Sequence, residues 1–255
     1  MKLKVLGCSG GIGGAQARTT SFVVDDDILV DCGTGVGDLE LDALARIDHI
    51  FISHAHLDHI AALPLLIDSV GDVRGAPIVV HATQETIRIL HSHVFNWLIW
   101  PDFSTIPDRH RPFVRFQPIR VNETVRLGRR GITALPAHHT VPAVSFCLDS
   151  GDGQLVYSGD TSYSAELVAA INQQPALRHL IIETAFSDEQ RGLALASRHL
   201  CPGMVVEILS ELTVSPAVHI SHLKPGQGDR IMQQIAAHEP RLLPQRLIQG
   251  QVLDF

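Results

Sequence analysis

The stretch His54-Ala55-His56-Leu57-Asp58-His59 directly follows the apolar run His49-Ile50-Phe51-Ile52-Ser53. A run of that length, bounded by turn residues, reads as a buried strand, so the polar sextet sits where the strand ends. Three imidazoles and a carboxylate in six residues cannot all share one cation, because neighbours in a tight turn project in different directions. Two adjacent ions solve the geometry, His54 and His56 serving one, Asp58 and His59 the other. A merely solvated polar loop has no need of this order.

The pattern repeats along the chain. Ile132–Leu135 runs into His138-His139, Leu155–Tyr157 leads to Asp160, Leu180–Ile182 ends on Glu183, and Ala217–Ile220 leads to His222. Five apolar strands thus deliver a metal-type or acid–base side chain at their C-terminal ends, where α/β sheets commonly bind ligands. Further strand-length runs are Leu3–Leu6, Phe22–Val24, Ile28–Val30, Ile78–Val80 and Val144–Leu148; helical periodicity marks Gln84–Leu98, Ala165–Gln173, Asp188–Ser197, Met204–Leu212 and Arg230–His238. With no linker, repeat or composition break, residues 1–255 read as one mixed α/β domain whose helices cover sheet faces. Of His138 and His139, only one can face a metal from an extended segment. His81, His179 and His219 lie in or beside strands and read as structural.

These residues resemble the metallo-β-lactamase superfamily, whose defining motif is H-x-H-x-D-H. The turns Gly7-Cys8-Ser9-Gly10-Gly11 and Asp31-Cys32-Gly33-Thr34-Gly35 resemble its early structural turns. The resemblance implies a four-layer αβ/βα sandwich with His139 as third ligand of the first metal, Asp160 as bridging carboxylate and His222 as last ligand. Imidazole and carboxylate ligands suit two divalent ions, zinc first, with iron or manganese as alternatives. Glu183-Thr-Ala-Phe186, followed by His199 ahead of a helix, is similar to the phosphodiesterases of the superfamily, ribonuclease Z included. That likeness implies that His199 protonates the departing alkoxide while Glu183 orients and charges its ring, and that Asp58 orients the attacking water. Read without it, Glu183 caps a strand and His199 ends a helix.

The segment His91–Phe103 holds both tryptophans and is similar to the H-x-F-N-x-x-I-W-P-x-F stretch of class II cyclic-nucleotide phosphodiesterases. Aromatic faces can stack on a purine, so Trp97 and Trp100, with Asn96 as a hydrogen-bonding neighbour, are expected substrate contacts. The bland alternatives are a helix anchor on the core or a subunit interface, as in a homodimer, with Asn96 capping the turn. Ala62 and Leu63-Pro64 depart from the class II pattern. The run Gly10-Gly-Ile-Gly-Gly14 does not complete G-x-G-x-x-G, since the last glycine position is Gln16, and is not a dinucleotide fingerprint.

Composition narrows the reading further. Against 27 Asp and Glu stand 20 Lys and Arg, a formal charge of −7, which does not suit a chain held to nucleic acid by a basic surface. Together with the missing tRNA-clasping arm of ribonuclease Z, this disfavours tRNA. Four scattered cysteines form no C-x-x-C pair, and no apolar run approaches a membrane span. The start superficially resembles a lipoprotein cleavage site but lacks its apolar stretch. The expectation is therefore a cytoplasmic, metal-dependent phosphodiesterase acting on a small 3′,5′-cyclic nucleotide, cAMP first. The alternatives are an RNA-processing phosphodiesterase, a lactonase or thioesterase of the same superfamily, and, outside enzymes, a metal-binding nucleotide sensor.

Overall fold

A computed structural model describes residues 1–238 and 243–255. The first sheet is built from β1 (Lys2–Gly7), β2 (Ser21–Val24), β3 (Ile28–Val30), β4 (His49–Phe51), β5 (Ile78–Ala82) and β6 (Val114–Pro118). The second takes β7 (Thr124–Leu127), β8 (Arg130–Pro136), β9 (Val144–Asp149), β10 (Gln154–Tyr157), β11 (Leu177–Glu183), β12 (Ala217–Ser221) and β13 (Gln245–Arg246), and β14 (Val252–Asp254) returns to the first. Strand order is β14-β1-β2-β3-β4-β5-β6 in one and β13-β12-β11-β10-β9-β8-β7 in the other. Each sheet is antiparallel where its half begins, then parallel: β1, β2 and β3 alternate before β3–β6 run together, and β7–β10 alternate before β10–β13 do.

Side-chain alternation explains the layering. In β4, Ile50 faces outward and Phe51 inward; in β11, Leu180 and Ile182 face outward and Ile181 inward. Both faces of these strands are covered, hence their unbroken apolar sequence. The inward set, with Phe22, Phe146, Leu155 and Tyr157, forms the core between the sheets. Outside the first sheet pack α3 (Leu63–Val70) and α4 (Gln84–His93), with the short α1 (Leu41–Ala45) and α2 (Leu57–Ile60) at its edge. Outside the second pack α5 (Ala165–Asn172), α6 (Arg191–Ser197), α7 (Pro202–Ser210) and α8 (Gly228–His238). This is the four-layer sandwich. No single described helix is long and apolar enough to cross a membrane.

Two details correct the sequence reading. The helix expected over Gln84–Leu98 ends at His93, and Trp97, inside the expected span, holds φ +65°, outside helical space. Helix α3 lies outside the expected helices, and Leu63, Leu66, Ile67 and Val70 form its buried face.

The sheets meet at the strand ends that matter. Val144 N–H donates to the Ser53 carbonyl at 3.0 Å, tying β9 to the end of β4. Gly159, at φ +59°, passes so close that a Cβ there would lie 2.9 Å from the Val144 carbonyl oxygen. That glycine lets β10 carry Asp160 into the crevice.

Candidate metal centre

Every polar side chain of the crevice rides on the end of an element. The end of β4 carries Ser53 and His54; α2 is a single turn, with His59 N–H donating to the His56 carbonyl at 3.0 Å. The ends of β8, β10, β11 and β12 lead to His139, Asp160, Glu183 and His222. His54, His56, His139 and Asp160 each aim one ligand atom into a space where all lie within 4.8 Å of one another, and Asp58, His59, Asp160 and His222 do the same beside it. Asp160 is common to both. Its Oδ2 lies 3.6 Å from His54 Nε2 and 4.0 Å from His139 Nε2, while its Oδ1 lies 3.3 Å from His59 Nε2 and 3.2 Å from His222 Nδ1. Each carboxylate oxygen faces one of the two groups. His138 is exposed and points elsewhere, so His139 is the member of the pair that faces the cluster.

The donor set fits metal ions. His54 Nε2, His59 Nε2, Asp160 Oδ1 and both His222 nitrogens are buried without a hydrogen-bond partner, whereas buried polar atoms are ordinarily paired. Burial keeps His54 well below the usual imidazole range, lowers His139 to about 4 and His222 to about 3, and lowers His56 as well. Neutral rings offer lone pairs to a cation. His59 is the exception: burial pulls it down, but Asp160 and Asp31 outweigh burial and hold it well above the usual range.

Two residues not recognised from sequence as functional orient the ligands. Asp31, wholly buried, accepts hydrogen bonds from Ser53 N–H, Ser53 Oγ, His59 Nδ1 and Tyr157 Oη, each at 2.8 Å. With Nδ1 thus engaged, His59 turns Nε2 to the cluster, the outer partner that metal-binding histidines usually have. The signal was available, since Asp31 ends β3 as His54 follows β4. Arg198 does the same for His139: its carbonyl accepts from His139 Nδ1 at 3.0 Å and its guanidinium donates back to the His139 carbonyl at 2.7 Å. Arg198 holds φ +53°, a conformation that favours glycine, and this reciprocal pair offsets the strain.

Glu183 and His199 stand beside the cluster. Glu183 Oε1 accepts from His199 Nδ1 at 2.8 Å and from Thr161 N–H at 3.0 Å, and Oε2 accepts from Ala185 and Leu200 N–H at 3.2 and 3.3 Å. Burial raises Glu183 above the usual carboxylate range, and the His199 ring and the backbone donors pull it back only in part. Burial also opposes charge on His199, but Glu183 prevails and raises it above the usual range.

Residues 26–243 match the family described as Beta-lactamase superfamily domain, a span that includes every residue of the two groups. The chain belongs to the β-lactamase superfamily. Within the superfamily, a probable 3′,5′-cyclic-nucleotide phosphodiesterase of Yersinia pestis is 28% identical over 216 residues, covering 74% of this chain and 61% of its own. A 3′,5′-cyclic-nucleotide phosphodiesterase of Aliivibrio fischeri is 31% identical over 184 residues, covering 66% of this chain. The chain therefore spans about 61% and 54% of these two relatives. Unliganded yeast PDE1 superposes over 100% of this chain and 99% of its own with a TM-score of 0.81 at 19% identity, a likeness of fold.

The aromatic segment of this β-lactamase-superfamily chain does not reach the crevice. Helix α4 starts at the C-terminal edge of β5 and runs back about 15 Å at 1.5 Å per residue. The segment that follows lies by the opposite edge, where the Phe103 carbonyl accepts from Val114 N–H at the start of β6. Asn96, Trp97 and Trp100, the expected substrate contacts, are therefore not among the residues brought together in the crevice. Asn96 Oδ1 accepts from Leu98 and Ile99 N–H, and its amide donates to the Ser92 carbonyl. Trp100 packs on the outer core of the first sheet, and Trp97 is 63% exposed. The aromatic ring beside the cluster is Phe186, 5.7 Å from the His199 ring and edge-on to it.

Proposed function

We propose that this chain is a dinuclear, metal-dependent phosphodiesterase that hydrolyses a 3′,5′-cyclic nucleotide, cAMP first, to the 5′-monophosphate. One observation carries the reading: the Glu183–His199 pair, 2.8 Å apart, stands against a cluster whose two ligand groups share Asp160. A metal-storage or sensing site has no task for such a pair. The names of the two sequence relatives support the substrate class.

His54, His56, His139 and Asp160 would hold one ion, and Asp58, His59, Asp160 and His222 the other, zinc before iron or manganese by ligand type. When bound, the ions supply charge neutralisation for the phosphoryl group and an activated water. The chain's own groups do the rest. Asp58 is the most exposed carboxylate of the set, 27% by side chain, and would orient the attacking water. His199, its Nδ1 engaged by Glu183, presents Nε2 to the leaving 3′-oxygen and donates the proton there. Asp160, Asp31 and Arg198 hold the imidazoles still, so little reorganisation accompanies the reaction.

The test is a substrate panel on zinc-, iron- and manganese-loaded protein: cAMP, cGMP, 2′,3′-cyclic nucleotides, bis(p-nitrophenyl) phosphate, a short RNA and an acyl-homoserine lactone. Turnover of 3′,5′-cyclic nucleotides above the others supports the proposal. Preference for RNA or the lactone, or binding of cAMP without product, contradicts it.

A further inference from the structure

Cations are unevenly spread in this sequence. It holds three lysines, Lys2, Lys4 and Lys224, and all its other basic residues of fixed charge are arginines. Lys2 and Lys4 lie on β1, whereas Lys224 follows the ligand His222 by two residues. The position is well defined. Lys224 Nζ donates to the Gly10 carbonyl at 2.6 Å and lies 5.9 Å from the centroid of the Phe186 ring. Phe186 in turn abuts His199, and the Lys224 charge is felt at that imidazole. Gly10 is pressed onto the cluster, since a Cβ there would lie 2.8 Å from His222 Cδ2. The ammonium therefore stands at the mouth of the crevice, on the side where His199 acts.

An ammonium has three N–H donors, and the Gly10 carbonyl takes one. The carboxylates Asp58, Asp160 and Glu183 line the crevice, and an anionic substrate must pass them. A phosphodiester carries one negative charge over two non-bridging oxygens. A compact point charge suits such an oxygen at the rim, where the planar fork of an arginine would need more room.

Resting on the phosphodiesterase reading, we infer that Lys224 is a substrate-binding residue that grips a non-bridging phosphoryl oxygen on the leaving-group side, fixed there by Gly10 and the Phe186 ring. It selects phosphate esters over uncharged esters and acts in binding, leaving proton transfer to His199.

The experiment compares wild type, Lys224→Met and Lys224→Arg, each zinc-loaded and checked for metal content. Calorimetric titration with 5′-AMP reads anion binding independently of turnover, and KM and kcat are measured on cAMP. Lys224→Met removes one charged hydrogen bond, so the 5′-AMP affinity should fall roughly 10- to 100-fold and KM rise by a similar factor at nearly constant kcat. Lys224→Arg keeps the charge but not the compact head, so it should recover only part of the affinity, and the salt dependence of binding should be shallower in the methionine variant than in either. Unchanged 5′-AMP affinity in Lys224→Met overturns the inference, as does metal loss in both variants, which would make Lys224 a clamp on the Gly10 turn. If wild type neither binds 5′-AMP nor turns over cAMP, the phosphodiesterase reading itself fails, and this inference with it.

Discussion

Replacing Asp31 by Asn keeps the shape of a buried side chain and removes its charge. Four donors converge on Asp31, three of them on Oδ2: Ser53 Oγ, His59 Nδ1 and Tyr157 Oη. An amide can leave its oxygen for Ser53 N–H, but its NH2 group then faces those three donors. The two hydroxyls can rotate and accept. His59 can accept only by moving its proton from Nδ1 to Nε2, which takes Nε2 away from the cluster. Metal affinity at the ion held by Asp58, His59 and His222 should fall about 10- to 100-fold, the usual effect of losing such an outer partner. The lost charged hydrogen bonds should lower stability by roughly 2–4 kcal/mol. For a chain of this length that is a Tm decrease of roughly 5–15 °C. Competition against a chromophoric chelator reads the first quantity and scanning calorimetry the second. An Asp31→Asn protein that binds both ions with wild-type affinity would refute the claim that Asp31 sets the His59 tautomer.

Further outcomes follow from the same geometry. His199→Ala should retain its metals and lose roughly 10²- to 10⁴-fold in kcat on cAMP, with a smaller loss on bis(p-nitrophenyl) phosphate, whose leaving group needs little protonation; equal losses on both would make His199 structural. Trp97→Ala should leave KM for cAMP within about twofold of wild type, because the segment lies by the far edge of the sheet; a larger rise would return the segment to the substrate site. Burial, then the neighbouring His49, lowers His81 to about 4, below its unfolded value of 6.5. A base so shifted stabilises the fold above pH 6.5 and loses that contribution as pH falls from 6.5 to 4, roughly 3 kcal/mol in all. Urea unfolding of metal-free protein should therefore show a smaller acid loss in His81→Leu than in wild type, and identical pH profiles would contradict this.

Much of this was legible because the strands are buried on both faces. Ile50-Phe51-Ile52 and Leu180-Ile181-Ile182 stand out as unbroken apolar runs, and the polar residue that ends each run belongs to the crevice. Edge strands carry no such mark. In β6, Arg115, Gln117 and Pro118 are exposed, and the strand escaped notice. The pairing of two similarly ordered sheets left no repeat in the sequence, because it resides in hydrogen-bond order and not in residue identity. Asp31 and Arg198 were missed for another reason: each acts through one hydrogen-bonded imidazole distant in sequence. For the aromatic segment, composition suggests stacking, while the edge by which the rings lie depends on the course of α4. The remaining strand histidines pair with each other, His49 Nδ1 with His81 Nε2 and His179 Nδ1 with His219 Nε2, both at 3.1 Å, away from the cluster.

The central claim is that the two ligand groups sharing Asp160, together with Glu183 and His199, open a 3′,5′-cyclic phosphodiester. Phosphorus-31 NMR of cAMP incubated with chelator-stripped protein, during stepwise return of zinc, tests it most directly. The cyclic diester resonance should give way to that of 5′-AMP alone, at a rate that rises until about two equivalents of metal are bound and that His56→Ala abolishes. Persistence of the cyclic diester at full metal occupancy, formation of 3′-AMP, or undiminished turnover by the stripped protein would contradict it.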